Sequence, residues 1–172
     1  LNKEKLKDQY KKNRWVNFHN GTVFDNQTGL TWMKSDFANI MGRAPESFME
    51  AWDWVKHVNS KGYAGFDDWR LPVVDEYKKL FDPERKKVGR QLYDKSSVVS
   101  RSMPAKPVGY PIVFDDGGGY WYWTAESVPC DKQVFDKCYR VFNFRDGITG
   151  VRSINVTDLD YSSVRLVRDD SQ

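Results

Sequence analysis

Two short runs of β-branched and aromatic residues stand near the start of the chain, with a polar stretch between them. The runs cover residues 22–25 and 30–33, and the stretch between them contains Asn26 and Gly29. Two β-rich runs on either side of a turn rich in Asn and Gly are typical of a β-hairpin. The pattern therefore predicts a β-hairpin over residues 22–33.

Apolar residues then recur at the spacing of an α-helix. Over residues 45–60 the residues on one face are Phe48, Ala51, Trp52, Val55 and Val58. Pro45 suits the first turn of this helix, and Gly62 suits its end. We interpret the aromatic residues of this face as core and not as a ligand platform. A second helix is predicted over residues 74–81, where the apolar face is formed by Tyr77, Leu80 and Phe81.

The last third of the chain has the pattern of β-strands. Strands are predicted at residues 120–125, 139–144 and 148–154, and an alternating strand at 163–168 closes the chain. Residues 82–111 differ, because four prolines interrupt them and no periodicity is present. A segment of that kind is predicted to be a long irregular loop, which in a compact domain is usually functional or mobile.

The chain has the length of one domain, with 172 residues. We place that domain at residues 14–170 and assign residues 1–13 to an N-terminal arm or linker. The arm is polar except for Leu6 and Tyr10, whose spacing of four gives a narrow apolar stripe. Seven Trp, nine Tyr and ten Phe supply the apolar surface for a core.

Charge and known motifs argue against several functions. The net charge of +3 is too small to predict nucleic-acid binding, and no apolar run is long enough for a transmembrane segment. The sequence contains no nucleophile elbow, phosphate-binding loop or HExxH helix. We therefore expect a binding or structural domain, not an enzyme, with no cofactor and no metal.

The two cysteines, Cys130 and Cys138, have seven residues between them. A disulfide that closes this short loop fits an oxidising compartment, and two free thiols would fit a reducing one. We favour the disulfide. A zinc site is not expected, because the only histidines, His19 and His57, are far from both cysteines in the sequence.

Short motifs follow one another over residues 20–168. They are Asn20-Gly21-Thr22-Val23, Thr28-Gly29-Leu30-Thr31-Trp32, Ala51-Trp52, Gly62-Tyr63-Ala64-Gly65, Asp68-Trp69-Arg70-Leu71-Pro72, Tyr122-Trp123-Thr124-Ala125, Phe142-Asn143-Phe144 and Val164-Arg165-Leu166-Val167-Arg168. In this order they resemble the Lcl C-terminal domain family, which is named after a collagen-like adhesin. Each motif alone is weak, but together they cover nearly the whole chain.

The resemblance implies an α+β, C-type-lectin-like fold, related in architecture to the formylglycine-generating enzyme group. Two helices would pack on a twisted, mostly antiparallel sheet with long irregular loops. Family members are typically secreted, periplasmic or attached to the bacterial cell surface. The namesake domain binds sulfated glycosaminoglycans and is a trimer. The enzymes of the related group use two active-site cysteines, whereas Cys130 and Cys138 lie in a short charged loop that is typical of a hairpin staple.

The function expected from the resemblance is a binding module for glycans or another extracellular macromolecule. The alternative is a structural subunit of a fibre, pilus or envelope complex, with a protein partner or self-assembly, and an enzyme of unknown activity ranks third. One fold hosts many ligands, so the ligand has to be argued from a site.

The run from Asp68 to Pro72 has the properties of a structural motif. Trp69 and Leu71 are predicted to be buried, and Asp68 and Arg70 to bond to backbone or to each other. Pro72 would end the segment. The competing hypothesis is a catalytic Asp beside a substrate-binding Arg, and we favour the structural interpretation.

Two groups of residues are candidates for ligand binding. Tyr120 and Tyr122 share one face of a predicted strand, and they form either an exposed surface that stacks on sugar rings or a second buried layer. The basic residues are Lys78, Lys79, Arg85, Lys86, Lys87 and Arg90. They outnumber the acidic residues of the same stretch by three, so they form either a site for an anionic polysaccharide or a solvated loop.

Overall fold

The computed structural model describes residues 13–90, 105–130, 137–155 and 162–170, which form an α+β domain. Three α-helices lie in these ranges: α1 Phe37–Met41, α2 Phe48–Ser60 and α3 Val74–Leu80. Two of them, α2 and α3, are the predicted helices. The additional helix, α1, has five residues, which is too short to show a helical repeat in the sequence.

The described ranges contain ten strands. They are β1 Trp15–Asn17, β2 Thr22–Asp25, β3 Leu30–Met33, β4 Lys87–Gly89, β5 Lys106–Val108, β6 Trp121–Val128, β7 Cys138–Asn143, β8 Thr149–Ser153, β9 Ser162–Ser163 and β10 Val167–Asp169. The sheets have the orders β1-β2-β3-β10, β4-β5 and β8-β7-β6-β9. All pairs are antiparallel except β6 with β9. The prediction of mostly antiparallel pairing is confirmed, although the strands form three sheets and not one.

The predicted hairpin is β2 and β3, and its turn is held by Asp25. The carbonyl of Asp25 accepts from the Gly29 N–H at 2.8 Å, and its carboxylate accepts from the Gln27 N–H and the Thr28 hydroxyl. Gly29 has a φ of +72°, which suits glycine. The turn residues therefore set the register, as expected from the sequence.

The helix α2 begins three residues later than expected. Its N-cap is Ser47, whose hydroxyl accepts from the Glu50 N–H at 3.1 Å. Pro45 consequently lies before the helix and not in its first turn. A serine at this position satisfies an N–H that has no partner within the helix, so it defines the start more strongly than Pro45 does.

The buried face of α2 also differs from the prediction at one position. Trp52 is 41% exposed, whereas Trp54, which was not assigned to the core, is buried. The Trp54 ring packs edge-on against Phe37 of α1, with ring centroids 5.4 Å apart. The interaction with α1, which the sequence pattern did not reveal, decides which of the two tryptophans is covered.

The helix α3 starts without a capping side chain, because its N-cap residue is Val73. Two carboxylates supply the missing acceptors. Glu76 accepts from the Val73 N–H at 2.9 Å, and Glu126 of β6 accepts from the Val74 N–H at 2.8 Å. The start of α3 is therefore tied to β6.

Two segments differ from the prediction, namely the irregular loop expected at residues 82–111 and the single strand expected at residues 163–168. In the described part of 82–111, β4 and β5 form a two-stranded ribbon, and residues 91–104 lie outside the described residues. The predicted strand at 163–168 is divided, because β9 pairs with β6 while β10 pairs with β3 of another sheet. Every side chain from 162 to 168 is buried along this crossing. The expected alternation of buried and exposed side chains is therefore absent from this segment.

Candidate functional site

Trp69 is the buried centre of the Asp68–Pro72 motif. Its side chain is 2% exposed, its indole N–H donates to the Tyr63 carbonyl at 3.1 Å, and its ring meets Tyr63 and Phe66 edge-on. Its backbone N–H and carbonyl both bond the Asn59 side chain at 2.8 Å. Asn59 lies in the last turn of α2, so Trp69 joins that helix to the loop after it.

The two charged residues of the motif reach distant partners. Asp68 pairs with Arg168 at 2.7 Å, and Arg70 pairs with Glu76 at 2.8 Å and with Asp169 at 3.0 Å. The prediction that Asp68 and Arg70 bond to backbone or to each other holds only in part, because Arg70 donates to the Leu71 carbonyl at 3.4 Å but each of the two charged groups pairs with other side chains. The hydrogen bond from Arg168 lowers the pKa of Asp68, and that from Arg70 lowers the pKa of Asp169. These bonds connect the motif to α3 and β10, which supports a structural role.

A buried carboxylate, Asp36, organises a polar centre between the sheets. Its Oδ2 accepts from the Tyr122 hydroxyl at 2.6 Å, the Ser163 hydroxyl at 2.9 Å and the Gly119 N–H at 3.1 Å. Its Oδ1 accepts from the Asn39 N–H at 2.8 Å as the N-cap of α1. With four donors around it, this carboxylate is fully used in holding α1, β6 and β9 together.

Arg165 is the buried cation of the same centre. Its Nη1 donates to the carbonyls of Met33 at 2.9 Å and Lys34 at 2.5 Å, and its guanidinium lies 4.4 Å from the centre of the Phe114 ring. Burial alone would lower the pKa of Arg165, but Tyr122 and Asp36 outweigh it, so the pKa is raised. The positive charge is therefore retained and balanced inside the protein.

Three buried tyrosines make the fold sensitive to alkali. Burial is the largest cause of the raised pKa of Tyr77, Tyr110 and Tyr122, above the ordinary value of 10.0, and Asp36 adds to it. An unfolded chain ionises them near that pH while the folded chain keeps them neutral. We expect the free energy of unfolding to fall above pH 10.0, with a slope approaching about 4 kcal/mol per pH unit for three such groups.

Urea unfolding across the alkaline range, with tyrosinate absorbance followed in parallel, measures this effect. Tyrosinate should appear in two phases, and the phase that contains Tyr77, Tyr110 and Tyr122 should coincide with unfolding. Ionisation of all nine tyrosines of the chain in one phase, with the fold intact, would contradict the prediction.

Tyr120 and Tyr122 do not form an exposed stacking surface. Both side chains are buried, so the second of the two predicted alternatives, a buried layer, is the correct one. Tyr122 meets the rings of Tyr77 and Phe144, and Trp123 on the other side of β6 packs against Phe48. Both faces of β6 are covered over its first half, residues 121–124, so alternation along that part of the strand exposes neither Tyr122 nor Trp123.

The six basic candidates are partly neutralised by acidic neighbours. The ion pairs are Lys78 with Asp75, Lys86 with Glu84, and Lys87 with Asp116. The side chains of Lys79, Arg85 and Arg90 are exposed. Two of the six residues lie on α3 and four on the segment through β4. The structure therefore offers an anionic polymer fewer uncommitted charges than the sequence suggests.

The predicted disulfide is present between Cys130 and Cys138, with Cα atoms 5.4 Å apart. It links the end of β6 to the start of β7, while residues 131–136 of the enclosed loop lie outside the described residues. The two sequence neighbours of Cys138, Lys137 and Tyr139, line a surface groove. The disulfide thus closes the hairpin directly beside that groove.

This surface groove, which we call the Trp52 groove, lies between α2 and the β6–β7–β8 sheet. Its volume is about 490 Å³, and its lining residues are Phe48, Met49, Trp52, Ala125, Lys137, Tyr139 and Ile154. The Phe48 ring stacks on Tyr139 with centroids 3.8 Å apart and lies nearly parallel to Trp52 at 6.5 Å. Aromatic rings with one open face and a cation beside them can hold a ligand that has an apolar face and polar edges.

None of the groove residues was predicted as a ligand contact. The sequence placed Phe48 and Trp52 in the core because both fit the helical repeat. A signal was nevertheless present, since Trp52 lies at the edge of the apolar stripe of α2, next to the polar residue Asp53. An edge residue of an amphipathic helix is covered or exposed according to its neighbours in space, which the repeat does not define.

These features define an α+β domain with a buried ionic centre and an aromatic groove on its surface. The sequence model of the Lcl C-terminal domain matches residues 21–168, so the chain belongs to the Lcl C-terminal domain family. This confirms the resemblance seen in the motifs. No curated protein and no solved structure matches the chain. None of the described helices has the length and apolar character needed to cross a bilayer.

Proposed function

We propose that this protein is an extracellular or cell-envelope binding module with a C-type-lectin-like fold, and that it recognises a glycan through the Trp52 groove. The observation that carries the proposal is the exposed ring of Trp52 beside Phe48 and Tyr139. A large apolar side chain kept in solvent at the mouth of a groove is typical of an interaction site. The disulfide and the family membership support the location.

The chemistry of the Trp52 groove suits a saccharide. A sugar ring has an apolar face of C–H groups that can lie on an indole, and hydroxyls at its edge that can accept from the Lys137 ammonium or bond the Tyr139 hydroxyl. Lys137 is exposed, and its carbonyl accepts from the Ile154 N–H at 3.0 Å, which holds its backbone at the groove. Binding without catalysis is part of this proposal, and it is supported at one point: the buried carboxylate Asp36 is occupied by structural donors.

The experiment is a glycan array of neutral and anionic saccharides, followed by titration of the strongest binder. Trp52→Ala should weaken binding at least tenfold, or 1.4 kcal/mol, because truncation of a central tryptophan removes most of the contact. The matched control is Phe18→Ala, which truncates an aromatic residue of similar exposure, 42%, on another part of the surface. It should bind as the wild type does.

Charge reversal in the basic stretch tests the competing surface. If Arg85→Glu with Lys79→Glu abolishes binding while Trp52→Ala does not, the basic residues and not the Trp52 groove form the site. If no saccharide on the array binds, the glycan assignment is wrong.

A structural subunit is the second candidate, and one observation favours it. Ile40 and Met41 of α1 are each 49% exposed and line a groove of about 510 Å³ against α2. Exposed apolar residues of this size are typical of contacts between protein chains. In a fibre or envelope complex this groove, and not the Trp52 groove, would be covered by a neighbouring protein, and variants at Met41 would disrupt assembly.

A further inference from the structure

A cleft on another side of the domain lies where the N-terminal arm joins it. Its volume is about 400 Å³, and its apolar lining includes Trp15, Phe81, Pro83, Pro111 and Ile112. We call it the Trp15 cleft. Ile112 is 62% exposed, the largest exposure among the large hydrophobic side chains of the described residues. Exposed aliphatic surface beside an aromatic ring and two prolines is a surface that a further apolar side chain can cover.

The chain enters the described structure at the mouth of this cleft. The Asn26 side-chain amide donates to the Asn13 carbonyl at 2.7 Å. Arg14 is held by both carboxylate oxygens of Asp25 at 3.0 Å and by the Lys79 carbonyl at 2.7 Å. Arg14 and Trp15 both line the Trp15 cleft. The direction of the chain is therefore anchored immediately after the twelve residues that precede Asn13.

The arm carries the complementary residues within reach. Tyr10 is four residues before Arg14, a distance of about 6 Å in a helix and about 14 Å in an extended chain. Tyr10 can reach the Trp15 cleft in either conformation, and Leu6 is four residues before Tyr10, a spacing that places two residues on one face of a helix. The cleft is lined by Arg14 and Lys86 as well as by Asp82, so the match between the arm and the cleft is apolar and not one of charge.

We propose that residues 1–12 dock over the Trp15 cleft of the same chain, with Tyr10 and Leu6 covering Ile112. This arrangement is supported by the anchored entry of the chain at the cleft, the short distance to Tyr10 and the exposed apolar lining. It does not depend on the Trp52 groove or on the ligand. The docked arm gives the domain a defined N-terminal side, remote in sequence from the Trp52 groove.

The test is hydrogen exchange measured by mass spectrometry on the full chain, with a synthetic peptide of residues 1–13 as the reference. In the wild type, amides of residues 2–12 should exchange at least tenfold more slowly than in the peptide. Tyr10→Asp and Ile112→Asp should each return them to the peptide rate. Gln9→Asp adds the same charge next to Tyr10 but off the apolar stripe, and should keep the protection.

Three results would overturn the proposal. Exchange at the peptide rate in the wild type would show that the arm does not dock. Protection that survives Ile112→Asp would place the arm on another surface. Protection that disappears on hundredfold dilution would assign the Trp15 cleft to the arm of a second copy.

Discussion

Replacement of Trp69 by alanine should lower the free energy of unfolding by about 3–5 kcal/mol, because it empties a large buried site. The indole is 2% exposed and packs edge-on against Tyr63 and Phe66. Its loss also removes the donor to the Tyr63 carbonyl. For a chain of this length the midpoint of thermal unfolding should fall by roughly 8–16 °C. Calorimetry or urea unfolding measures the change.

Trp52→Ala is the matched control for this prediction, since it removes the same side chain from an exposed position. It should change the free energy of unfolding by no more than about 1 kcal/mol. The two variants should also separate stability from binding. A Trp69→Ala protein that melts normally but has lost its ligand would show that the motif is a site and not a structural element.

Replacement of Asp36 by alanine should cost about 3–5 kcal/mol as well, for an electrostatic reason. The change strands the Tyr122 and Ser163 hydroxyls and the Gly119 N–H in the interior and leaves the Arg165 charge without its buried carboxylate. Removal of one member of a buried charged network costs far more free energy of unfolding than the intact network contributes. Urea unfolding of the variant at neutral pH measures the loss.

Two further variants test the cause. Asp53→Ala removes an exposed carboxylate that pairs with Lys56 at 2.9 Å, and it should change stability by less than about 0.5 kcal/mol. Arg165→Met should be much less harmful in an Asp36→Ala background than in the wild type, because the lone buried charge is then absent. Equal effects in both backgrounds would contradict the coupling of Asp36 with Arg165.

Local patterns were sufficient for several elements. The β2–β3 hairpin, the existence of α2 and α3 and the disulfide could all be predicted, because turn residues, helical repeats and cysteine spacing act over a few neighbours in the chain. The Asp68–Pro72 motif was also predicted to be structural, and its contacts support that interpretation. Its partners, Arg168 and Asp169, were not predicted, because about a hundred residues separate them from Asp68 and Arg70.

The candidate site was the weakest part of the prediction, and Tyr122 and Trp52 show why. Tyr122 was a candidate for exposure because residues on a strand alternate, but β6 is covered on both faces where Tyr122 lies. Trp52 was assigned to the core because it fits the repeat of α2, but Trp54 takes that place against Phe37. Periodicity defines which residues share a face and not what lies opposite that face.

The sequence by itself determined the family, the α+β class, the β2–β3 hairpin and the oxidised cysteine pair. Only the tertiary structure decided that Asp36 and Arg165 share a buried centre, that the tyrosines of β6 are covered and that Trp52 lies open beside Tyr139. The physical reason is that burial depends on contacts between elements distant in the chain. The chain between β9 and β10 crosses from one sheet to the other, and that crossing places Arg165 in the interior.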